Sequence, residues 1–412
     1  MLRVLNNINH NLKFISMRVI FLLVLLRITL INAQSIKGYI KDFRETPLSG
    51  AVIYIDGTQY KTQSNQDGEF YLSGVKAKTG NLIVEKKGFS SKIIPIKELY
   101  SQTLEIKLEK ETEIPEVKLL AYTDKVYKRY IEKFLNTLLG YDREMVYVKN
   151  PKDIQLAYDR EEHVLKARAK APLIISNEKL GYVVNYNLLE FELNLSDNSL
   201  KYLGTSFFSP MKGSSHKQLK WQTERLNAYC GSSLHFFRAL YQDRLSEEGF
   251  SVDWIVRKRN EKYPSSEELK VYRTYIDDFR KKISKDSVIV FNKYPPHIED
   301  IARRKEEEPM FYSAIIERNI LSDKFRKNSE NRVFLEFKDL LGVNYKKYFY
   351  TVHKKQIQKT EMPVSKNNIL DCRGLSFEVY SDGNYSNPSE LVFEEGWARS
   401  NLSELLPLDF EP

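Results

Sequence analysis

Cysteine is nearly missing from these 412 residues: Cys230 and Cys372 are the only two, which excludes a disulfide-dense scaffold and leaves apolar burial to stabilise the fold. Histidine is scarce as well. None of the six stands in an H-x-x-E arrangement with a distant third His, the set that gives zinc three protein corners and one water. The nearest approach, His297-Ile298-Glu299-Asp300, puts Asp300 where that pattern wants Glu, in a charged stretch that reads as loop. No metal or other cofactor is therefore expected. A nucleophile elbow is lacking too, because Gly231-Ser232-Ser233-Leu234-His235 has no second glycine of G-x-S-x-G. Internal repeats and low-complexity tracts are absent. Charge of one sign is also rare. The net +9 is spread over Lys and Arg mixed nearly everywhere with Asp and Glu. The dense run Arg303-Arg304-Lys305 leads straight into Glu306-Glu307-Glu308, and Arg257-Lys258-Arg259 is the other basic run. That mixture predicts solvated surface and no nucleic-acid partner.

Long apolar runs are missing except near the start. Lys13 and Arg18 precede Val19 to Leu26, Arg27 interrupts, and Ile28 to Ile31 continue before Asn32-Ala33-Gln34. The run is shorter than the roughly 20 apolar residues of a membrane span, so residues 1–34 read as a signal peptide cut after Ala33. Met17-Arg18 offers a second start with a more usual basic opening. After cleavage no transmembrane span is expected. An exported chain meets an oxidising compartment, and a Cys230–Cys372 disulfide is left open beside two buried thiols.

What the sequence does have begins at Ile36. Short β-type runs alternate with turn residues as far as Glu109, and no window shows the i, i+3, i+4 spacing of a helix. Strands are predicted over Ile36–Asp42, Ala51–Asp56, Lys61–Ser64, Glu69–Ser73, Asn81–Lys86, Ser91–Ile96 and Thr103–Glu109. Seven strands in about 75 residues suggest a small β-sandwich. Pro47-Leu48-Ser49-Gly50 turns the chain into the second strand, Asp67-Gly68 is a strong hairpin signal, and Lys87-Gly88-Phe89 repeats the device.

At these punctuation marks the segment resembles the carboxypeptidase regulatory-like domain. That pattern runs G-x-V-x-D, P-L-x-G-A-x-V, T-D-x-D-G-x-F and a late G-Y or G-F. Here the places read Gly38-Tyr39-Ile40-Lys41-Asp42, Pro47-Leu48-Ser49-Gly50-Ala51-Val52-Ile53, Ser64-Asn65-Gln66-Asp67-Gly68-Glu69-Phe70 and Gly88-Phe89. The resemblance implies a transthyretin-like seven-stranded sandwich that accompanies another domain and brings no activity with it. One departure stands at the turn, where T-D becomes Ser64-Asn65; an acidic cation site there is not expected.

The segment around Pro115 reads as a charged connector, which sets an expected division into 1–34, a sandwich over 35–110 and a mixed α+β domain over 111–412. Asp124 to Leu139 follows helical spacing through Val126, Tyr130, Phe134 and Leu138, and Gly140 stops it. His163–Ala171 and Tyr182–Leu195 read as strands, with Pro172 and Asn177–Gly181 as turns. Helix returns from Ser214, broken at Gly231, and its second part carries Leu234, Phe237, Leu240, Tyr241 and Leu245 to an end at Gly249. Ser265–Lys282 is a third helical stretch; Pro295-Pro296 and Glu306–Pro309 read as loop. Strands follow at Val333–Phe337, Tyr345–Val352, Leu375–Tyr380 and Leu391–Phe393. The class is α+β.

One polar cluster stands out. Trp221, Arg225 and Tyr229 lie four apart on one helical stripe, and His235 and Arg238 lie one turn apart on the next helix. As a pocket they would hold an anion or a sugar; as a buried network they would fix the angle between two helices.

Together with Trp221 to Arg238 and the stretch Ala171-Pro172-Leu173 to Gly181-Tyr182, the tail Gly396-Trp397-Ala398-Arg399 to Pro412 resembles envelope proteins of Gram-negative bacteria that carry one such sandwich before a larger region. The resemblance implies a non-catalytic exported protein, periplasmic or outer-membrane-associated, that binds an envelope protein or glycan. The alternative is a hydrolase of peptide or envelope polymer, recognisable by a deep pocket gathering Arg225, His235, Arg238 and a carboxylate. An outer-membrane barrel fits poorly with the charged helices of Trp221–Lys282.

Overall fold

The computed structural model describes residues 34–412 apart from 78, 97–102, 111–121, 141–142, 161, 197 and 283–293. The expected leader, but for Gln34, and the expected connector around Pro115 lie outside the described residues.

All seven expected strands form, with ends moved by at most two residues: β1 (Gln34–Asp42), β2 (Val52–Ile55), β3 (Lys61–Gln63), β4 (Glu69–Val75), β5 (Asn81–Glu85), β6 (Lys92–Pro95) and β7 (Thr103–Leu108). They make two sheets, β4-β1-β7 and β3-β2-β5-β6, with β1 and β7 parallel. Ile36, Ile40, Ile53, Ile55, Phe70 and Leu82 fill the space between the sheets. The Ser64-Asn65 departure works locally. Ser64 Oγ accepts from Ala51 N at 2.9 Å and donates to Leu48 O at 2.6 Å, while Asn65 Oδ1 accepts from both Asp67 N and Glu69 N. Gly68 then turns at φ 75°, with Ile40 O only 2.4 Å from where a Cβ would stand.

Beyond the sandwich the region is larger and mixed. Helix α1 (Asp124–Leu139) is capped by Thr123, whose side chain accepts from Val126 N, and it buries Phe134, Leu135, Leu138 and Leu139. That face packs on a sheet of β8 (Val146–Val148), β9 (Ile154–Asp159), β10 (Val164–Ala169), β11 (Leu173–Asn177), β12 (Tyr182–Asn194) and β13 (Leu200–Pro210). Helices α2 (Ser215–Tyr229), α3 (Ser233–Tyr241) and α4 (Leu245–Glu248) lead to β14 (Phe250–Arg259). The hairpin of α5 (Ser266–Lys282) and α6 (Pro296–Glu307) precedes β15 (Phe311–Glu317), β16 (Arg326–Ser329), β17 (Arg332–Glu336), β18 (Leu340–Tyr345), β19 (Tyr348–His353) and β20 (Gln356–Glu361). The chain closes through β21 (Lys366–Asp371), β22 (Ser376–Val379), β23 (Val392–Glu395) and α7 (Gly396–Ser400). The sheet β15-β14-β18-β21-β23 and the fully buried Phe236 and Phe237 of α3 share a second core.

Three expectations need correction. The helix after Gly231 ends at Tyr241 rather than Gly249, because Asp243 turns the chain at φ 56° before α4 begins. The stretch after Pro295 is helix, not loop: Pro296 occupies the first helical turn, where its missing N–H costs nothing, so His297 and Asp300 sit on α6. The run Tyr345–Val352 is two strands with Lys346 and Lys347 between them. Of the two readings left open for Cys230 and Cys372, the structure has the buried thiols and not the disulfide.

The sandwich is fastened to the region that follows. Tyr54 and Ile83 are paired in register and both 1% exposed, yet they point away from the sandwich core. Tyr54 meets Phe207 of β13 at 4.9 Å between ring centres. Gly57 N donates to Ser206 O at 2.8 Å and Phe208 N to Thr58 O at 2.9 Å, so the loop after β2 pairs with the edge of β13. On its other side Leu408 N donates to Gly57 O at 2.7 Å, which brings in the tail.

Candidate functional site

A cleft of about 450 Å³ opens where this loop, helices α2 to α4 and the tail meet. Asp56, Thr58, Lys76 and Thr79 come from the sandwich side, Tyr229, His235, Arg238 and Glu248 from the helices, and Asp382 and residues 408–412 close it.

Local structure places the helical side. Gly231 takes φ 77° after Cys230 ends α2, and Ser232 caps α3 by accepting from His235 N at 3.1 Å. The same turn aims Gly231 N at His235 Nδ1, 3.2 Å away. A ring nitrogen that accepts leaves the proton on Nε2, which faces Glu248 Oε2 at 3.4 Å. The His235 ring stacks on Tyr229 at 4.6 Å and meets the edges of Phe250 and Tyr345. Burial pushes its pKa down to about 4, against the pull of Glu248, so the ring is neutral at pH 7.

Arg238 reaches over Tyr229 and spends its guanidinium on three carbonyls: Asp382 O at 3.0 Å, Phe410 O at 2.9 Å and Leu408 O at 2.9 Å. The tail is thereby pegged to α3. Thr79 Oγ1 donates to Asp382 Oδ2 at 2.6 Å, and Lys76 pairs with Glu411 at 3.0 Å. Across the cleft Asp56 Oδ1 accepts from Ser206 N at 2.8 Å, and burial lifts its carboxyl to about 6. Burial also raises Asp409, which accepts from Gln59 N at 3.1 Å.

With this geometry in place, the sandwich can be assigned. Residues 36–119 match the CarboxypepD_reg-like domain. No curated protein matches the chain. The regulatory-like domain supplies one wall of the cleft, through the loop after β2 and through Lys76 and Thr79.

The five residues of the polar cluster divide between two places. Tyr229, His235 and Arg238 line the cleft. Trp221 and Arg225 face the turn between β11 and β12: Trp221 Nε1 donates to Glu178 O at 2.9 Å, and Arg225 donates to Leu180 O at 2.7 Å and Gly181 O at 3.0 Å. Gly181 turns there at φ 68°, and a Cβ on it would stand 2.2 Å from the Trp221 ring. A hydrolase pocket was to gather Arg225, His235, Arg238 and a carboxylate; His235, Arg238 and Glu248 are gathered, and Arg225 is not. Sequence spacing also misses Asp56, Glu248 and the tail residues. Only Glu248 carried a local signal, one residue ahead of the helix-ending Gly249.

The other candidates lie elsewhere. Among the described residues no group of His, Cys, Asp and Glu could hold a metal ion. Asp300 is engaged by Arg303 at 2.7 Å and Arg304 at 2.8 Å. Burial raises both thiols, Cys372 to about 12. Lys366 Nζ donates to Asn227 O at 3.1 Å and Cys230 O at 2.7 Å, which seals the end of α2, and burial lowers its pKa.

Proposed function

We propose that this is an exported, non-catalytic envelope protein, periplasmic or outer-membrane-associated, in which the regulatory-like domain and the larger region hold a protein or glycan partner in the cleft between them. The observation that carries the reading is the shared wall: one cleft takes side chains from the sandwich, from α2 to α4 and from the tail. Its strongest donor, Arg238, is committed to backbone carbonyls, and its histidine is neutral with Nδ1 already accepting. Such a cleft offers carbonyls, carboxylates and the Tyr229 edge to a polar ligand, as binding sites do. The leader is the support for export.

The test is recovery of a partner from envelope extracts by the full chain and by a Gln242→Trp variant, which narrows the cleft from an exposed lining position. The parent retains a partner that the variant loses. Equal recovery by both, or a protein found only in the cytosolic fraction, overturns the reading.

The second reading, a hydrolase of peptide or envelope polymer, is favoured by the 3.4 Å approach of His235 Nε2 to Glu248. Incubating the purified protein with peptide and glycan polymers decides between them. Turnover that disappears in Glu248→Gln would replace the binding role with a catalytic one.

A further inference from the structure

Among the described residues, strands β19 and β20 form a two-stranded sheet that joins no other sheet. A hairpin alone is marginally stable in water, so something must hold its base. Asn227 of α2 does so: its amide donates to Tyr350 O at 3.0 Å and accepts from Tyr350 N at 2.6 Å, copying the edge of a strand. The far end is left free. Residues 352–356 are all exposed.

The charge of this hairpin is unlike that of the surrounding chain. Between residues 346 and 361 it carries Lys346, Lys347, Lys354, Lys355 and Lys359 against the single acid Glu361. Lys354 and Lys355 occupy the two central positions of the tip, at φ 47° and 64°. A two-residue turn with both φ positive favours Asn-Gly and gains nothing from lysine. The lysines are therefore placed for their charge. One pair further back, behind His353 and Gln356, Val352, 43% exposed, pairs with Ile357, so the end of the hairpin carries an apolar pair near its cations.

We propose that the β19–β20 tip docks on a membrane surface of phosphate-bearing lipid headgroups. Lysines near such a surface are each attracted appreciably, and a short apolar pair beside them can enter the headgroup layer. The tip is exposed at every residue from 352 to 356, which suits a broad surface better than a groove. Stacking on nucleic-acid bases is disfavoured because the Tyr348 ring already carries the ammonium groups of Lys347 at 5.0 Å and Lys359 at 4.9 Å. The hairpin contributes no residue to the cleft, so this proposal and the binding role stand or fall separately.

The full chain is sedimented with vesicles of phosphatidylcholine, with and without phosphatidylglycerol. Binding is expected only where phosphatidylglycerol is present and should weaken as salt is raised. The variant Lys354→Asn/Lys355→Gly removes two charges while installing the residues the turn prefers, so it folds at least as stably as the parent. Its vesicle affinity should fall roughly 30-fold. Equal binding by that variant, equal binding to neutral vesicles, or tighter binding of a short DNA duplex or of polyglutamate than of anionic vesicles overturns the proposal.

Discussion

Asp56 and His235 show how burial at single residues sets opposite pH dependences. The Asp56 carboxyl is raised to about 6, so the folded state holds its proton more tightly than the unfolded chain does. Its ionised form opposes folding above pH 6, and the group favours folding progressively as pH falls through 6 toward 4. Burial shifts Glu85 and Asp409 in the same direction. His235, lowered to about 4, acts the other way: the unfolded chain binds the extra proton, so stability from this group is complete above pH 6.5 and is lost as pH falls toward 4. Asp56→Asn keeps the acceptor for Ser206 N without the charge. It should stabilise the protein at pH 8 by on the order of 2 kcal/mol and have little effect near pH 4, as read from urea midpoints. The His235 ring should show no protonation shift by NMR between pH 7 and pH 5.5. Gly181 offers a steric test. Alanine there meets the Trp221 ring and must hold φ 68°, so Gly181→Ala should lower stability by about 3 kcal/mol in thermal unfolding.

At the level of elements, the tail matters most for the cleft. Residues 407–412 have no regular secondary structure and are held by their partners: Leu408 N on Gly57 O, the Arg238 guanidinium on the carbonyls of Leu408 and Phe410, Gln59 N on Asp409, and Lys76 on Glu411. Arg238→Ala leaves those partly buried carbonyls without a donor. Hydrogen exchange at Leu408 and Phe410 should speed up, with a loss of roughly 2–3 kcal/mol in global stability. Elements also differ in how far their residues disclose them. Helix α1 is legible because Val126, Tyr130, Phe134 and Leu138 keep helical spacing and Gly140 ends it. Strand β15 is hidden: all seven of its residues are exposed, so no alternation marks it, and only pairing with β14 makes it a strand. Helix α6 is masked by Pro295-Pro296, which reads as loop until Pro296 is seen in the first turn.

The whole molecule is joined by a buried, polar and well-satisfied junction. Tyr54 OH bonds both Glu85 Oε1 at 2.7 Å and Thr205 Oγ1 at 2.8 Å, and Asn187 also reaches Glu85 at 2.9 Å. Tyr54→Phe should cost about 1–2 kcal/mol, shifting the denaturation midpoint while leaving the dependence on denaturant unchanged. Because backbone hydrogen bonds also cross this junction, sandwich and larger region should melt in one transition by calorimetry. The seven strands and their turns were written in the residues themselves, since alternation, Pro-Leu-Ser-Gly and Asp-Gly act over a few positions and need no distant partner. The helical stripe of Trp221, Arg225 and Tyr229 was equally local. Its division, two residues gripping the Gly181 turn and one facing a cleft, was decided by folding alone. So was the cleft, because Asp56, Glu248 and Asp409 become neighbours only when the loop after β2, the helices and the tail pack together, and no short-range pattern encodes which distant surfaces will meet.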